Sequence, residues 1–298
     1  MLSYQHAFHA GNHADILKHY VLSFVLNSLN KKDKPYTFFD THSGSGLYDL
    51  EDNRSIKTGE AEKGILFLYN EIKKNKDFLS SMPDSFANYF NLVEKYLISS
   101  RYPGSPEIER MLLRKSDFLV LSELHPQEIE NLKTNIQKKP FISSENAPSI
   151  QIHNRNGWEM IKALTPPKTK RGAVIIDPSY EESQDYLDAA NTILSINKKW
   201  SNGIILLWYP LLAHRDFEIN QMINSICEGI HSSNENTEIV NLQLCVADKD
   251  SHKEVALNEL DKKNPPRLYG SGMLVINAPW MLQEDANQVI PKLQSILS

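Results

Sequence analysis

The sequence predicts an α/β fold built on an open, mostly parallel sheet, and three observations predict it. Gly172 to Glu182, GAVIIDPSYEE, runs apolar and β-branched into an acid and a proline. A short apolar run bounded by Gly and Pro is the pattern of a strand buried on both faces. Similar runs recur along the chain, with helical periodicities between several of them. Residues able to do chemistry fall where these runs end, and open α/β sheets hold their ligands at the carboxyl ends of strands.

In chain order, the first helix starts at Asn12 or His13. Ala14, Ile16, Leu17, Val21, Leu22, Val25, Leu26 and Leu29 repeat at helical spacing. Lys18 and His19 read as a solvated face of it. His9 and His13 are four apart, a metal-ligand spacing on a helix, but no HExxH motif or cysteine cluster accompanies them. Asp33, Lys34 and Pro35 end the helix. Tyr36 to Phe39 then reads as a strand, followed by Asp40 and the turn Gly44-Ser45-Gly46. Glycines at a strand end let the backbone approach a ligand closely. The pattern DxxxGxG is neither GxGxxG nor GK[ST], which disfavours a dinucleotide or a nucleoside triphosphate.

Residues 50–99 read as a helical insertion, periodic over Glu60 to Asn75 and Ser85 to Ser99. Ser105-Pro106 reads as a helix start, with Ser as N-cap. Further strands are Phe118 to Ser122, Ile150 to His153, Gly203 to Tyr209, Ile239 to Val246 and Gly272 to Ile276. Asn156-Gly157 turns into a helix from Trp158 to Leu164. The last two strands form a hairpin, with a polar, lysine-bearing, mobile loop at 248–267. Pro166 to Arg171 is a basic loop feeding the central strand, which ends at Asp177 because Pro178 has no N–H for a ladder.

The chain has 298 residues, 41% hydrophobic and 23% charged, as in ordinary soluble enzymes. Cys227 and Cys245 are its only cysteines, which fits a reducing cytoplasm. No signal peptide or membrane span is expected. With a net charge of −5, nucleic-acid binding would need local basic segments: Lys18, Lys168 to Arg171, and Lys249 to Arg267.

DxxxGxG resembles the S-adenosylmethionine motif of Rossmann-like methyltransferases. Asp177-Pro178-Ser179-Tyr180 resembles the (D/N)PP(Y/F/W) motif of enzymes that methylate exocyclic amines. HAFHAGNHADILKH, DTHSGSG, YPGSP, LSELHP, DPSY, LWYP and GSGMLVIN occur in order across nearly the whole chain. Together they resemble the RlmJ family of bacterial 23S rRNA adenine-N6 methyltransferases. The resemblance implies a single class I methyltransferase domain over 1–298, Rossmann-like, with seven mostly parallel strands. It implies a cytoplasmic monomer using S-adenosyl-L-methionine on 23S rRNA, with no metal, membrane or obligate protein partner. It places His19, His42, Ser105, Glu123, Asn156, Gly157 and Asp177 around the cofactor, with Asp177 also catalytic. Tyr4, Pro178 and Tyr180 would meet the substrate, Tyr180 by stacking on the base. This chain departs from the family at Asn156, usually Asp, and at Ser179, usually Pro. Adenine in DNA or a glutamine side chain are alternative amines, and a non-catalytic RNA-binding factor is the alternative of another class.

Overall fold

The computed structural model describes residues 4–249 and 268–298. Its strands in chain order are β1 (Thr37–Asp40), β2 (Leu47–Asp49), β3 (Arg101–Pro103), β4 (Phe118–Ser122), β5 (Ser149–His153), β6 (Gly172–Ile176), β7 (Ile204–Leu211), β8 (Ile239–Cys245) and β9 (Gly270–Ile276). Seven of them form one sheet in the order β5-β4-β1-β6-β7-β9-β8. β9 runs antiparallel to both β7 and β8, and the other pairings described in this sheet are parallel. The strand order reverses direction between β1 and β6, because β1 continues to β4 on one side while β6 and β7 build the other. A crevice opens at such a switch point, above the carboxyl ends of the strands.

Alternate residues of each strand feed two cores, as a period of two requires. Phe38, Leu119, Leu121, Ala173, Ile175 and Leu206 face one. Phe39, Val120, Val174, Ile176, Ile205 and Leu207 face the other. The first core is covered by α1 (His13–Asn30), the helices of the insertion, α7 (Ser105–Leu112), α8 (Pro126–Lys133) and α12 (Leu282–Leu297). The second is covered by α9 (Gly157–Leu164), α10 (Gln184–Lys199) and α11 (Asp216–His231).

The insertion comprises α2 (Asn53–Thr58), α3 (Glu60–Lys63), α4 (Ile65–Lys74), α5 (Lys76–Ser80) and α6 (Asp84–Leu97). Its two ends are clamped by β2 and β3, which pair antiparallel from Leu47↔Pro103 to Asp49↔Arg101. The periodic stretch from Glu60 to Asn75 is two helices, broken at Gly64. A Cβ on Gly64 would lie 2.3 Å from the Gly11 carbonyl oxygen, and Ile65 N–H donates to that carbonyl at 2.8 Å. The N-terminal turn is therefore seated on the insertion.

Helix α1 lies between the sheet and α6 and is buried on nearly every side. Asn12 is its N-cap and accepts from Asp15 N–H at 3.0 Å. The solvated face expected at Lys18 and His19 does not exist, since both are buried. Ser105 is not the cap of α7. Gly104 takes that place, and Ser105 is the first helical residue. Strand β7 continues through Pro210 to Leu211, past the end expected at Tyr209. There it pairs only with β9, so the missing N–H of Pro210 can face the side without a partner. Strands β8 and β9 form the expected hairpin. Most of the lysine-bearing loop, 250–267, lies outside the described residues.

Candidate active site

The crevice holds a cavity of about 250 Å³ at the carboxyl ends of β1, β4, β5 and β6. His19, His42, Ser105, Glu123, Asn156, Gly157, Asp177, Tyr4 and Pro178 all line it. Tyr180 does not. It lines an adjoining cavity of about 120 Å³, and Tyr4, Lys18 and Asp177 border both spaces. The Tyr180 ring is buried, 4.7 Å from the Tyr186 ring, and its hydroxyl donates to the Trp208 carbonyl at 2.9 Å. It forms a fixed wall of the smaller cavity. Its φ of 52° is left-handed, a costly conformation for an aromatic residue and one that gathers at functional turns.

The larger cavity has a polar lining fixed by local bonds. Glu123 accepts from Gly44 N–H at 2.8 Å and His125 N–H at 2.6 Å, so it braces the glycine turn it faces. Gly44 has φ +58° and Gly46 φ +73°, which only glycine adopts without strain. Gly157 is pressed against β1, where a Cβ would lie 2.0 Å from the Thr41 carbonyl oxygen. Asn156 caps α9, its side-chain oxygen accepting from Glu159 N–H at 3.2 Å. That oxygen, expected to meet the ligand, is thus partly occupied. Ser105 donates to Asp40 Oδ2 at 2.7 Å. Burial pushes the Asp40 carboxyl up to about 6.

A chain of polar side chains runs from Tyr4 to Asp177. Tyr4 Oη bonds His6 Nδ1 at 2.9 Å, and His6 Nε2 bonds Asp15 Oδ2 at 2.9 Å. Lys18 Nζ sits between Asp15 Oδ1 and Asp177 Oδ2, 2.8 Å from each. Burial alone would lower the lysine, but the two carboxylates hold it above the ordinary lysine range. Burial would likewise raise Asp15, yet His6, Lys18 and His19 hold it well below the usual carboxylate range. Asp177 Oδ1 makes no hydrogen bond among the described residues, and Asp177 lines both cavities.

His19 has a ring nitrogen without a hydrogen-bond partner. Its Nδ1 bonds Tyr102 Oη at 2.8 Å, while its fully buried Nε2 has no hydrogen-bond partner. That nitrogen lies 3.9 Å from Asp15 Oδ1.

A family model described as "Ribosomal RNA large subunit methyltransferase D, RlmJ" matches residues 33–298. Ribosomal RNA large subunit methyltransferase J of Escherichia coli (strain K12) is 36% identical over 301 residues, covering 100% of this chain and 94% of the relative. The protein of the same name from Haemophilus influenzae is 35% identical over 302 residues, with the same coverage. The chain belongs to the RlmJ family. A crystal structure of a protein from Legionella pneumophila str. Philadelphia 1 is 28% identical, with a TM-score of 0.77 over 97% of this chain and 94% of that one.

Membership of the RlmJ family makes the protein a methyltransferase, and its sheet is the Rossmann-like class I sheet expected. The family match starts at residue 33, yet the relatives align over the segment before it, which carries Tyr4, His6, Asp15 and Lys18. His6, Asp15 and Asp40 were not singled out as site residues in the sequence. For Asp15 the signal was its spacing with Lys18 and His19, which puts three chemical groups on one helical face. Lys18, expected among the RNA-binding lysines, is instead an internal ion-pair partner of Asp177. His9 bonds Glu60 at 2.9 Å, and no cluster of three or more metal-ligating side chains occurs among the described residues. No helix among them is long and apolar enough to cross a membrane.

Proposed function

We propose that this protein methylates the exocyclic N6 amine of an adenine in 23S rRNA, with S-adenosyl-L-methionine as donor. The observation that carries the reading is the position of Asp177. Its carboxylate stands where two cavities meet, one oxygen anchored by Lys18 and the other without a partner. The larger cavity suits the donor. His19 would border its methionine part, and Glu123 would take its ribose hydroxyls. The unbranched backbone at Gly44 and Gly157 leaves room for close approach. Asn156 and His42 would border its base. The donor supplies an electrophilic methyl group on a sulfonium.

The smaller cavity suits the target base, between Tyr4 on one side and Tyr180 and Trp208 on the other. A base must leave its stack to enter it, at a cost lower in RNA loops than in duplexes. Asp177 Oδ1 and the Pro178 carbonyl would accept the two N–H groups of the amine. That draws the nitrogen lone pair out of ring conjugation and points it at the methyl. The N–C bond forms as the S–C bond breaks, and the surplus proton on N6 leaves to water by way of Asp177. Lys18 fixes the rotamer of Asp177 in this step.

The reading includes a single domain over 1–298 with an insertion at 50–99, acting as a cytoplasmic monomer without metal or obligate protein partner. Incubation with labelled S-adenosylmethionine and separate pools of rRNA, DNA and protein tests it. Label is expected in 23S rRNA as N6-methyladenine. Label in DNA or in glutamine would replace the substrate, and no label in any pool would remove the enzymatic reading. Calorimetry with S-adenosylhomocysteine tests the donor separately.

A further inference from the structure

The amino ends of the parallel strands lie opposite the active site, and they carry a continuous belt of lysines. Thr37 N–H of β1 donates to the Arg171 carbonyl at 3.1 Å, so the segments leading into β1 and β6 lie side by side. Arg171 donates to the Lys34 carbonyl at 2.6 Å, and Arg114 donates to the carbonyls of Lys32 at 3.1 Å and Lys34 at 3.0 Å. Trp200 Nε1 donates to the Lys170 carbonyl at 2.9 Å, and Lys199 Nζ to the Lys162 carbonyl at 3.2 Å. These bonds join the ends of α1, α7, α9 and α10 to the approach of β6 as one surface.

Lys31, Lys32 and Lys34 follow α1, and Lys115 follows α7. Lys168 and Lys170 precede β6, while Lys198 and Lys199 close α10. All eight are exposed. None of them pairs with a carboxylate among the described residues. The two acids within the belt, Asp33 and Asp117, both face Arg114. Burial, and after it the Arg114 cation, pulls Arg171 below the ordinary arginine range.

Complementing helix dipoles does not account for the belt. That effect is confined to the last helical turn, where only Lys198 and Lys199 sit. Lys32, Lys34, Lys115, Lys168 and Lys170 lie in connections beyond the helices. The described rim of the active-site cavity has the opposite character, with Glu123, Glu181 and Asp185 on its lining. In a chain of net charge −5, these eight lysines form a local cationic cluster on the far side.

We propose that this belt is a second contact surface for the rRNA, taking backbone phosphates of a segment away from the methylated base. The proposal rests on the reading of rRNA as substrate. At about 3.3 Å per residue, five strand residues put the belt at least ~17 Å from Asp177. That is too far for the target nucleotide and within the span of one large folded RNA. A second attachment on the same RNA raises the effective concentration of the target at the cavity without any new contact to it. Phosphate contacts of this kind position the RNA and read no sequence.

The test is one chain carrying Lys32→Glu, Lys34→Glu, Lys168→Glu and Lys170→Glu, beside a second with the same four changed to Gln. Affinity for transcribed 23S rRNA is measured at several salt concentrations, with thermal melting as the folding control. Loss of four phosphate contacts should lower the slope of log K against log salt by about 3 and weaken binding about 10- to 100-fold at moderate salt. The Gln chain should fall between. Turnover at saturating RNA, and on a short fragment that the wild type methylates, should be unchanged. A folded Glu chain with wild-type affinity and slope overturns the proposal. So does one that keeps its RNA affinity but loses binding to phosphatidylglycerol vesicles, which would assign the belt to a lipid surface. Failure of the wild type to methylate any rRNA would be read in the unsubstituted protein and would fell the substrate assignment first.

Discussion

Asp177 uses its two oxygens differently, and its substitution should therefore have two effects. Oδ2 belongs to the buried ion pair with Lys18, while Oδ1 has no hydrogen-bond partner among the described residues and is, in the proposed reaction, the acceptor of the substrate amine. Asp177→Ala should lower single-turnover methyl transfer by at least about a hundredfold, since an unoriented reacting atom alone costs that much. It should also lower stability, by about 1–3 kcal/mol, because a buried ammonium loses one of its two partners. Read from a strand end alone, that substitution looks neutral for stability, because nothing in the sequence reveals Lys18 as a partner 159 residues away. Lys18→Met should be worse for folding, at about 3–5 kcal/mol by chemical denaturation, as it strands Asp15 and Asp177 together. His19 gives a pH signature. Burial lowers its pKa to about 3, so the folded protein resists a proton that the unfolded chain accepts near 6.5. Its contribution is therefore complete above about pH 6.5 and lost as pH falls from there toward 3. Between pH 7 and 5 the loss is about 2 kcal/mol. Asp40, raised by burial, opposes it over part of that range. Urea midpoints at the two pH values should differ less in His19→Gln than in the wild type. Equal differences would remove His19 as the source.

At the scale of elements, the N-terminal turn and the insertion behave as one support for the active site. Asn12 caps α1 with its oxygen and donates to Glu60 of α3 with its nitrogen, at 3.0 Å. Asn12→Ala should cost about 1–2 kcal/mol, the range for a lost N-cap with a further contact. Gly64→Ala should act where the two backbones touch, since a methyl group there would push residues 11 and 12 away. Methyl transfer should drop with S-adenosylhomocysteine affinity nearly intact, because α1 carries Lys18 and Asp15 while the glycine turn stays braced by Glu123. Equal losses in both would mean that the insertion supports the donor cavity as well. These junctions explain which elements were legible in the sequence. The seven strands of the sheet are apolar or alternating runs with clear stops, and all seven were readable. Strands β2 and β3, three residues each, lie below any periodic signal, and the break at Gly64 depends on a chain segment fifty residues earlier. Ser105-Pro106 carries the letters of a cap, but Asp40 claims the serine hydroxyl, a partner visible only in three dimensions. Among the site residues, those at strand ends could be placed by position in the fold. Tyr4 and the insides of α1 could not.

Over the whole molecule, the order of synthesis runs against the order of assembly. Helix α1 is made first, but one of its main packing partners is β9, and β9 lies inside the sheet between β7 and β8. Until residue 276 has been made, α1 lacks the strand it packs against most, and the hairpin that completes the sheet is missing. Contacts this distant in sequence form late and slowly. A chain arrested after residue 269 should accordingly leave α1 open to protease, while one that extends through α12 should protect it. Equal protection in both would show that α1 docks without β9. If the longer chain alone is protected, the ion pair between Lys18 and Asp177 also waits for the hairpin, although both of its residues were made long before. A nascent chain still threaded through a ribosome would then be catalytically silent toward the RNA around it, and competence would arrive only with the last stretch of polypeptide.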